Sequence, residues 1–232
     1  MRKIDLVVFD MAGTTVNDED GVNRCIRDAL KGVGLEVASP DVNRVMGLPK
    51  PRAISLLIEQ YGRSADLGPR LESIHADFVR QSMEFYASDP AVHEIPGASL
   101  VFDRLRSGGL RIGLNTGFNR AITDVILDRM RWGERIDAAI ASDEVSRGRP
   151  FPDMIRELMR RLGVVQAARV AKVGDTPADL EEGHNAGCGL IVGVTSGTHT
   201  RAELAPFPHT HLVDSVRDLP NLLGFHTADP GV

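Results

Sequence analysis

Short apolar runs recur along the chain, and amphipathic helical patterns separate them. Runs of this length suit buried strands, and their alternation with helices is typical of βαβ units around a parallel sheet. The predicted strands are Leu6–Phe9, Arg111–Leu114, Ala138–Ala141, Val170–Val173, Leu190–Val194 and His211–Val213. The predicted helices lie near Gly97–Ser107, Asn119–Met130, Pro152–Leu162 and Thr176–Ala186. We therefore expect an α/β fold built on a Rossmann-like parallel sheet.

The stretch between the first two predicted strands is far longer than one crossover helix requires. Apolar residues repeat there at helical spacing, for example at Ile54, Leu57 and Ile58. We predict that residues 17–93 form an inserted helical cap domain over the carboxyl end of the sheet. Residues 1–16 and 94–232 would then form the core domain, with a frayed end after Phe225.

Composition excludes several classes of protein. The chain has 232 residues, 42% of them hydrophobic, and a formal net charge of −5, which argues against nucleic acid or an anionic membrane as the main partner. No apolar run approaches the roughly 20 residues that cross a bilayer. The first strand follows Met1 so closely that we expect no signal peptide, and two cysteines do not make a disulfide framework. We expect a cytoplasmic protein with a small-molecule substrate, and a homodimer is kept open.

Polar residues follow four of the predicted strands in the chain, three of them within two residues of the strand end. Asp10 follows the first strand, Thr116-Gly117 the second, Arg149 the third and Gly174-Asp175-Thr176 the fourth. Because the carboxyl ends of parallel strands share one edge, we expect these residues to converge on one cavity. Two of these residues, Asp10 and Thr116, have a simpler interpretation, since each could cap a turn.

Two further carboxylates lie at the start of a predicted helix. Asp175 and Asp179 could serve only to cap its N-terminal N–H groups. Carboxylates gathered at one sheet edge could equally hold a cation. The residues alone leave both interpretations open.

In order and spacing these motifs resemble those of the haloacid dehalogenase superfamily of phosphotransferases, over nearly the whole chain. The resemblance implies that Asp10 is a nucleophile that forms an aspartyl-phosphate. It implies that Thr116 and Gly117, with the backbone of Ala12 and Gly13, bind the phosphoryl group.

The same resemblance implies a magnesium site. Its ligands would be Asp10, Asp175 and the main-chain carbonyl of Ala12, and Asp179 would support the ion directly or through another ligand. Since a carboxylate nucleophile repels an anionic phosphoryl group, such a site needs positive charge. Hard oxygen donors favour Mg²⁺, and no Cys/His spacing suggests zinc.

Two positions indicate which branch of the superfamily this chain resembles. Superfamily members usually have a second Asp where this chain has Ala12, and Lys where it has Arg149. This pair resembles the phosphonatase branch, in which a cap lysine forms a Schiff base with an aldehyde substrate. The matching segment is Met46-Gly47-Leu48-Pro49-Lys50, and an isolated Lys50 would otherwise be interpreted as an exposed loop residue.

Ala12 and Lys50 are chemically consistent with each other. Alanine cannot protonate the leaving alkoxide of a phosphate ester, whereas an iminium on Lys50 would delocalise the carbanion that C–P cleavage expels. Burial or a nearby cation would keep some of this amine neutral; Arg52 is near in sequence, and whether it faces Lys50 is open. Arg149 suits bidentate contact with oxyanions.

Our first hypothesis is therefore Mg²⁺-dependent C–P cleavage of a carbonyl phosphonate. One alternative is a phosphate-monoester phosphatase, and another is a catalytically weak protein that binds phosphorylated metabolites and regulates a partner. A dehalogenase is disfavoured, because carbon–halogen displacement needs no metal and the Gly174-Asp175-Thr176 motif suits one.

Several residues depart from the phosphonatase pattern. The resemblance implies Trp where this chain has Met11, Tyr where it has Phe118 and His where it has Ala53. We expect these three residues to line the pocket and to select a related but different substrate. We interpret the acidic run Asp18-Glu19-Asp20 as a solvated hinge.

Overall fold

The computed structural model describes residues 3–225, so the expected fraying after Phe225 lies outside the described residues. Its centre is a six-stranded parallel sheet. In spatial order the strands are Ala138–Ile140 (β5), Arg111–Asn115 (β4), Leu6–Phe9 (β1), Val170–Gly174 (β6), Leu190–Val194 (β7) and His211–Val213 (β8). All six predicted strands are confirmed, with ends that differ by at most one residue.

The position of β1 decides where the site lies. Phe9, its last residue, is level with Leu114 of β4 and Val173 of β6. The chain runs outward from β1 to β5 on one side, then crosses to β6 and runs outward to β8 on the other. Residues that follow β1 and β6 therefore lie at the topological switch point, where sheets of this kind bind ligands.

Side chains of β1 alternate between two apolar layers, as the pleat of a strand requires. Val7 and Phe9 face the layer formed by Ala98–Ser107 (α6) and Arg120–Met130 (α7). Leu6 and Val8 face the layer formed mainly by Asp153–Arg161 (α8), and Pro177–Ala186 (α9) packs beside β6 and β7. The predicted α/β fold with a Rossmann-like sheet is confirmed.

The long segment between β1 and β4 is helical. Its helices are Gly21–Lys31 (α1), Ser39–Asn43 (α2), Lys50–Gln60 (α3), Ser64–Leu67 (α4) and Leu71–Ser88 (α5). A short antiparallel ribbon of Val16–Asn17 (β2) and His93–Glu94 (β3) joins the two ends of this segment. The division into a core and a cap with boundaries at residues 17 and 93 stays a prediction.

The inserted helices contact the sheet edge at a few points. The main-chain N–H of Lys50, at the start of α3, donates to the Gly117 carbonyl oxygen (3.3 Å), and α5 packs against α7. Two short helices, Arg201–Leu204 (α10) and Leu219–Leu222 (α11), complete the described chain. Among residues 3–225, no helix is long and apolar enough to span a bilayer.

Candidate active site

A cavity of about 310 Å³ opens at the carboxyl edge of the sheet. Six of the nine residues expected to act in catalysis, phosphoryl binding or metal binding line it: Asp10, Ala12, Gly13, Lys50, Gly117 and Arg149. Thr116, Asp175 and Asp179 are buried beside it. The convergence expected from the strand ends therefore exists in the structure, and the insert adds Lys50 to it.

Asp10 lies at the floor of this cavity. The Asp10 N–H donates to the Val173 carbonyl oxygen on β6 (2.9 Å), which holds the residue at the end of the sheet. The Asp10 carboxylate pairs through Oδ1 with Arg149 Nη1 at 2.7 Å. Burial raises the pKa of Asp10, and Arg149 opposes that rise.

Arg149 is only 3% exposed, and its guanidinium contacts six oxygen atoms around it, one of them the Gly47 carbonyl oxygen at 3.5 Å. Nη1 lies 3.0 Å from Asp179 Oδ1 in addition to its contact with Asp10, and Nε lies 3.1 Å from Glu182 Oε2. Nη2 donates to both the carbonyl and side-chain oxygens of Asn115, each at 2.8 Å. This arrangement uses the planar fork that distinguishes arginine from lysine.

Lys172, Glu182 and Asn115 form a buried layer under Arg149 that the sequence analysis missed. Lys172 Nζ lies 2.8 Å from Asp179 Oδ1 and 3.4 Å from Glu182 Oε2, and it donates to Asn115 Oδ1 at 2.6 Å. The sequence does indicate that Lys172 is paired, since a lysine in the middle of the apolar strand β6 needs an anionic partner. It does not indicate which carboxylates are the partners of Lys172.

Asp175 is held in a tight cradle. Thr14 Oγ1 donates to its Oδ1 (3.0 Å), and the Thr198 N–H donates to its Oδ2 (2.8 Å). A Cβ placed at Gly13 or Gly197 would overlap Asp175 Oδ2, so only glycine leaves room there. Burial, followed by the charges of Asp10 and Asp179, raises the pKa of Asp175 to about 8.

The acidic cluster fits a divalent cation. Asp10, Asp175 and Asp179 each offer a carboxylate oxygen, and these oxygens lie within 4.8 Å of one another. A cation would offset the repulsion that raises the pKa of Asp175, and an all-oxygen donor set suits Mg²⁺.

Asp179 differs from the other two carboxylates. Its Oδ2 accepts from the Thr176 hydroxyl (2.5 Å) and from the Thr176 N–H (3.2 Å), so it caps the start of α9. Although burial opposes the change, Arg149 and Lys172 lower the pKa of Asp179. Capping and charge pairing thus occur together at this residue, and its role as a metal ligand stays a prediction.

Thr116 also has a local role. Its Oγ1 accepts from the Phe118 N–H (3.2 Å), which stabilises the turn that follows β4. The hydroxyl hydrogen remains available to an acceptor. Thr116 therefore does stabilise a turn, as the simpler interpretation expects, and its binding of the phosphoryl group stays a prediction.

Lys50 is the first residue of α3 and is 4% exposed, so it is not the exposed loop lysine of the simpler interpretation. Its Nζ lies over the Phe118 ring, 5.1 Å from the centroid, and forms no salt bridge or hydrogen bond with any residue in the range 3–225. Burial lowers its pKa to about 8, and the cation that contributes is Arg149. Arg52 is exposed and is not among the groups that shift it.

The acidic run Asp18-Glu19-Asp20 lines the mouth of the cavity, and the solvated-hinge interpretation is wrong for its first member. Asp18 is only 9% exposed, and Tyr86 of α5 donates its hydroxyl to Asp18 Oδ2 at 2.6 Å. Burial raises the pKa of Asp18. The expectation that Asp18 is solvated failed because Tyr86 lies far along the chain and cannot be associated with Asp18 from sequence; a hinge in this segment stays a prediction.

Of the three departures expected to line the pocket, only Phe118 does so. Met11 and Ala53 are fully buried in the apolar core, so the expectation for these two is wrong. Met11 follows Asp10 but packs into the layer below it. Of the three departures, only Phe118 is placed to contact a substrate in the cavity.

The fold and site define an α/β enzyme with a carboxylate-based centre. Asp10, the buried Arg149 and a cluster of three carboxylates lie at the switch point of a parallel sheet, under inserted helices. The chain belongs to the haloacid dehalogenase-like hydrolase family, whose model matches residues 7–192.

Proteins named phosphonoacetaldehyde hydrolase are among its relatives. Those of Bacteroides fragilis and Bordetella pertussis are each 30% identical to it, over 94% and 95% of this chain and 88% and 91% of theirs. A solved phosphonoacetaldehyde hydrolase-like protein from Oleispira antarctica has a TM-score of 0.84 at 23% identity, covering 95% of this chain and 91% of its own. A predicted phosphoglycolate phosphatase from Haemophilus somnus has a TM-score of 0.79 at 18% identity, covering 96% and 99%. These two structures share the fold.

Proposed function

We propose that this hydrolase cleaves the C–P bond of a phosphonate that carries an aldehyde or ketone, with Lys50 as the amine that forms an imine. The observation that carries the proposal is the contrast between its two buried lysines. Lys172 is paired with Asp179, Glu182 and Asn115, whereas the Lys50 amine faces the cavity without a carboxylate partner. A buried amine with its pKa lowered to about 8 is a suitable nucleophile toward a carbonyl. The relatives named phosphonoacetaldehyde hydrolase support the same substrate class.

Lys50 acts on the carbonyl end of the substrate. Its neutral amine adds to the carbonyl carbon, and loss of water gives an iminium. When the C–P bond breaks, the bonding electron pair moves into this iminium and forms an enamine. Protonation of the enamine carbon and hydrolysis then release the carbonyl product and regenerate Lys50.

Asp10 acts on the phosphorus. Arg149 holds Asp10 Oδ1, which leaves Oδ2 to attack the phosphoryl group and form an acyl phosphate. Water hydrolyses this intermediate to inorganic phosphate and restores the carboxylate. Thr116 and Gly117, with the backbone of Ala12 and Gly13, bind the phosphoryl oxygens.

Magnesium fits the acidic cluster. Asp10, Asp175 and the Ala12 carbonyl would hold the ion, with Asp179 supporting it, and the ion would offset the repulsion between nucleophile and phosphoryl group. The protein's own residues do the rest: Thr14 and the Thr198 N–H orient Asp175, while Arg149 orients Asp10.

Borohydride trapping tests the proposal directly. The protein is incubated with phosphonoacetaldehyde and borohydride, and the labelled peptide is mapped by mass spectrometry. With only Lys3, Lys31, Lys50 and Lys172 in the sequence, we expect the label on Lys50 and none on the buried but paired Lys172. Lys50→Arg should lose both label and phosphate release, whereas Lys31→Arg, an exposed control, should keep both. No adduct on the native protein, with full phosphate release by Lys50→Arg, would overturn the proposal.

A phosphate-monoester phosphatase is the second candidate, and Asp18 is the observation that favours it. A buried carboxyl with a raised pKa at the cavity could protonate a leaving alkoxide in place of the acid missing at Ala12. Turnover of small phosphate monoesters that survives Lys50→Arg but is lost in Asp18→Asn would select this candidate.

A further inference from the structure

The fold holds the Asp18 carboxyl by hydrogen bonds to its Oδ2 atom. Tyr86 Oη donates to Oδ2 at 2.6 Å, and the Val22 N–H donates to the same oxygen at 3.3 Å. The Asp20 N–H also faces this carboxyl. Asp18 lines the same cavity as Lys50, so a carboxyl that the fold holds in place borders the space that a substrate would occupy.

The surroundings of Asp18 connect it to the lysine amine. Lys50 Nζ lies 5.1 Å from the centroid of Phe118, and the Phe118 ring lies edge-on to Tyr86 with the centroids 5.4 Å apart. Tyr86 in turn holds Asp18. Asp18 and Lys50 line the same cavity, and each is among the charged groups that shift the pKa of the other.

We propose that Asp18 is the general acid of imine formation at Lys50, anchored by Tyr86. The proposal rests on the proposed function, because it requires the Lys50 imine. After the amine of Lys50 has added to the substrate carbonyl, the carbinolamine carries a hydroxyl group. Asp18, in its carboxylic acid form, gives its proton to that hydroxyl, the C–O bond breaks and water leaves. The nitrogen lone pair forms the C=N bond, so the products are the iminium, one water and the Asp18 carboxylate.

The other carboxylates at this end of the sheet are committed elsewhere. Asp10 and Asp179 contact Arg149, and Asp175 is held by Thr14 and the Thr198 N–H. They serve the phosphorus end of the substrate. Asp18 is the buried carboxyl on the side of the cavity formed by the inserted helices.

Burial favours the acid form of Asp18, and the groups that face it oppose this effect. They are the Tyr86 hydroxyl, the Lys50 amine and the backbone N–H groups of Val22 and Asp20, each of which lowers its pKa. Burial outweighs them and raises the pKa, so a larger fraction of Asp18 is protonated than of an exposed aspartate.

The test measures how fast Lys50 forms its imine. Native protein and Asp18→Asn are mixed with acetonylphosphonate, trapped with borohydride after increasing delays and analysed by mass spectrometry. We expect trapping by Asp18→Asn to be about 100-fold slower, the usual loss for a missing general acid. Inorganic phosphate should bind both proteins with affinities within about twofold. Asp28→Asn, which removes an exposed carboxylate on α1, is the matched control and should trap at the native rate.

Chemical rescue separates chemistry from folding. Asp18→Ala opens space at the cavity, and we expect added formate to restore the trapping rate in proportion to its acid form. Asp18→Glu should retain part of the rate and shift its pH profile. A residue that only maintains the fold would respond to neither change.

The outcomes distinguish a failure of the role proposed for Asp18 from a failure of the proposed function. An adduct that forms at the native rate and pH profile in Asp18→Asn overturns the role of Asp18 and leaves the proposed function intact. No adduct on native protein overturns both. If Asp18→Asn loses phosphate binding or fails to fold, the formate experiment decides: rescue of Asp18→Ala supports the role, and its absence overturns it.

Discussion

Arg149 Nη1 lies 2.7 Å from Asp10 Oδ1, and the same nitrogen lies 3.0 Å from Asp179 Oδ1. One buried cation therefore bridges the carboxylate at the end of β1 and a carboxylate in the first turn of α9. Because Nε and Nη2 are also engaged, by Glu182 and Asn115, the guanidinium has little freedom to turn. The orientation of Asp10 thus depends on the planarity of Arg149 as well as on its charge.

Arg149→Lys should behave as a severe substitution. A lysine keeps the charge but cannot reach Asp10, Glu182 and Asn115 together, so we expect kcat/KM for phosphate release to fall by about 100-fold or more. Steady-state phosphate release measures it. Arg147→Lys, two residues away and exposed, should remain within about twofold of the native enzyme. Equal activity in the two variants would contradict the role given to the guanidinium fork.

Lys50→Met should inactivate the enzyme and make it more stable near neutral pH. The pKa of Lys50 is about 8 in the folded protein, against 10.5 for an ordinary lysine, so below pH 8 the folded state carries an unfavourable buried cation. We expect the variant to be more stable by roughly 1–3 kcal/mol at pH 7. Urea unfolding measures the difference.

The pH dependence of that gain follows from the direction of the shift. Between pH 8 and 10.5 the unfolded chain binds more protons at Lys50 than the folded protein does, so native stability rises with pH there. The advantage of Lys50→Met should shrink across this range and vanish above it. The facing charges that contribute are Asp10, Asp18 and Asp175, which favour the cation, and Arg149, which opposes it. An advantage that does not change with pH would show that burial of the amine is not its cause.

Gly197→Ala should weaken magnesium binding. The added Cβ overlaps Asp175 Oδ2 and must displace the carboxylate that the Thr198 N–H holds. Because misplaced metal ligands bind more weakly, we expect the Mg²⁺ dissociation constant to rise by about 10–100-fold. Titration calorimetry with Mg²⁺ alone is the measurement. Gly133→Ala is the matched control, since no atom lies near its Cβ position, and unchanged binding in both variants would argue against Asp175 as a ligand.

Lys172→Met should destabilise the fold strongly. It removes one of the two cations that face Asp179 and Glu182, which are both fully buried, and leaves Arg149 to neutralise them together with Asp10. We expect this to cost about 3–5 kcal/mol. Urea unfolding at pH 7 should show this loss, whereas Lys31→Met, an exposed lysine on α1, should change stability by less than about 0.5 kcal/mol. A small effect of Lys172→Met would mean that Arg149 alone neutralises the two carboxylates.

The sequence predicted the ends of the strands more closely than it predicted where individual side chains point. Strand ends were predicted within one residue, because a buried strand is an apolar run and the turn residues that end it are adjacent in the sequence. Since parallel strands end at one edge, Asp10, Thr116, Arg149 and Asp175 could be gathered before any coordinates were known. The expectation for Met11 failed because this residue lies beyond the end of β1, where the strand pattern no longer fixes the direction of a side chain, and it packs into the apolar core.

The sequence by itself therefore determined the sheet, the long helical segment between β1 and β4 and the four strand ends that surround the cavity. The tertiary structure decided which charges are paired. The sequence does not distinguish Lys172 from Lys50. In the structure, α9 brings Glu182 to Lys172, whereas the Lys50 amine lies over the face of Phe118. It also decided that Asp18 is buried, because Tyr86 reaches it from α5. Periodicity is a property of neighbouring residues, whereas the charge state of a buried group depends on partners that only folding brings near.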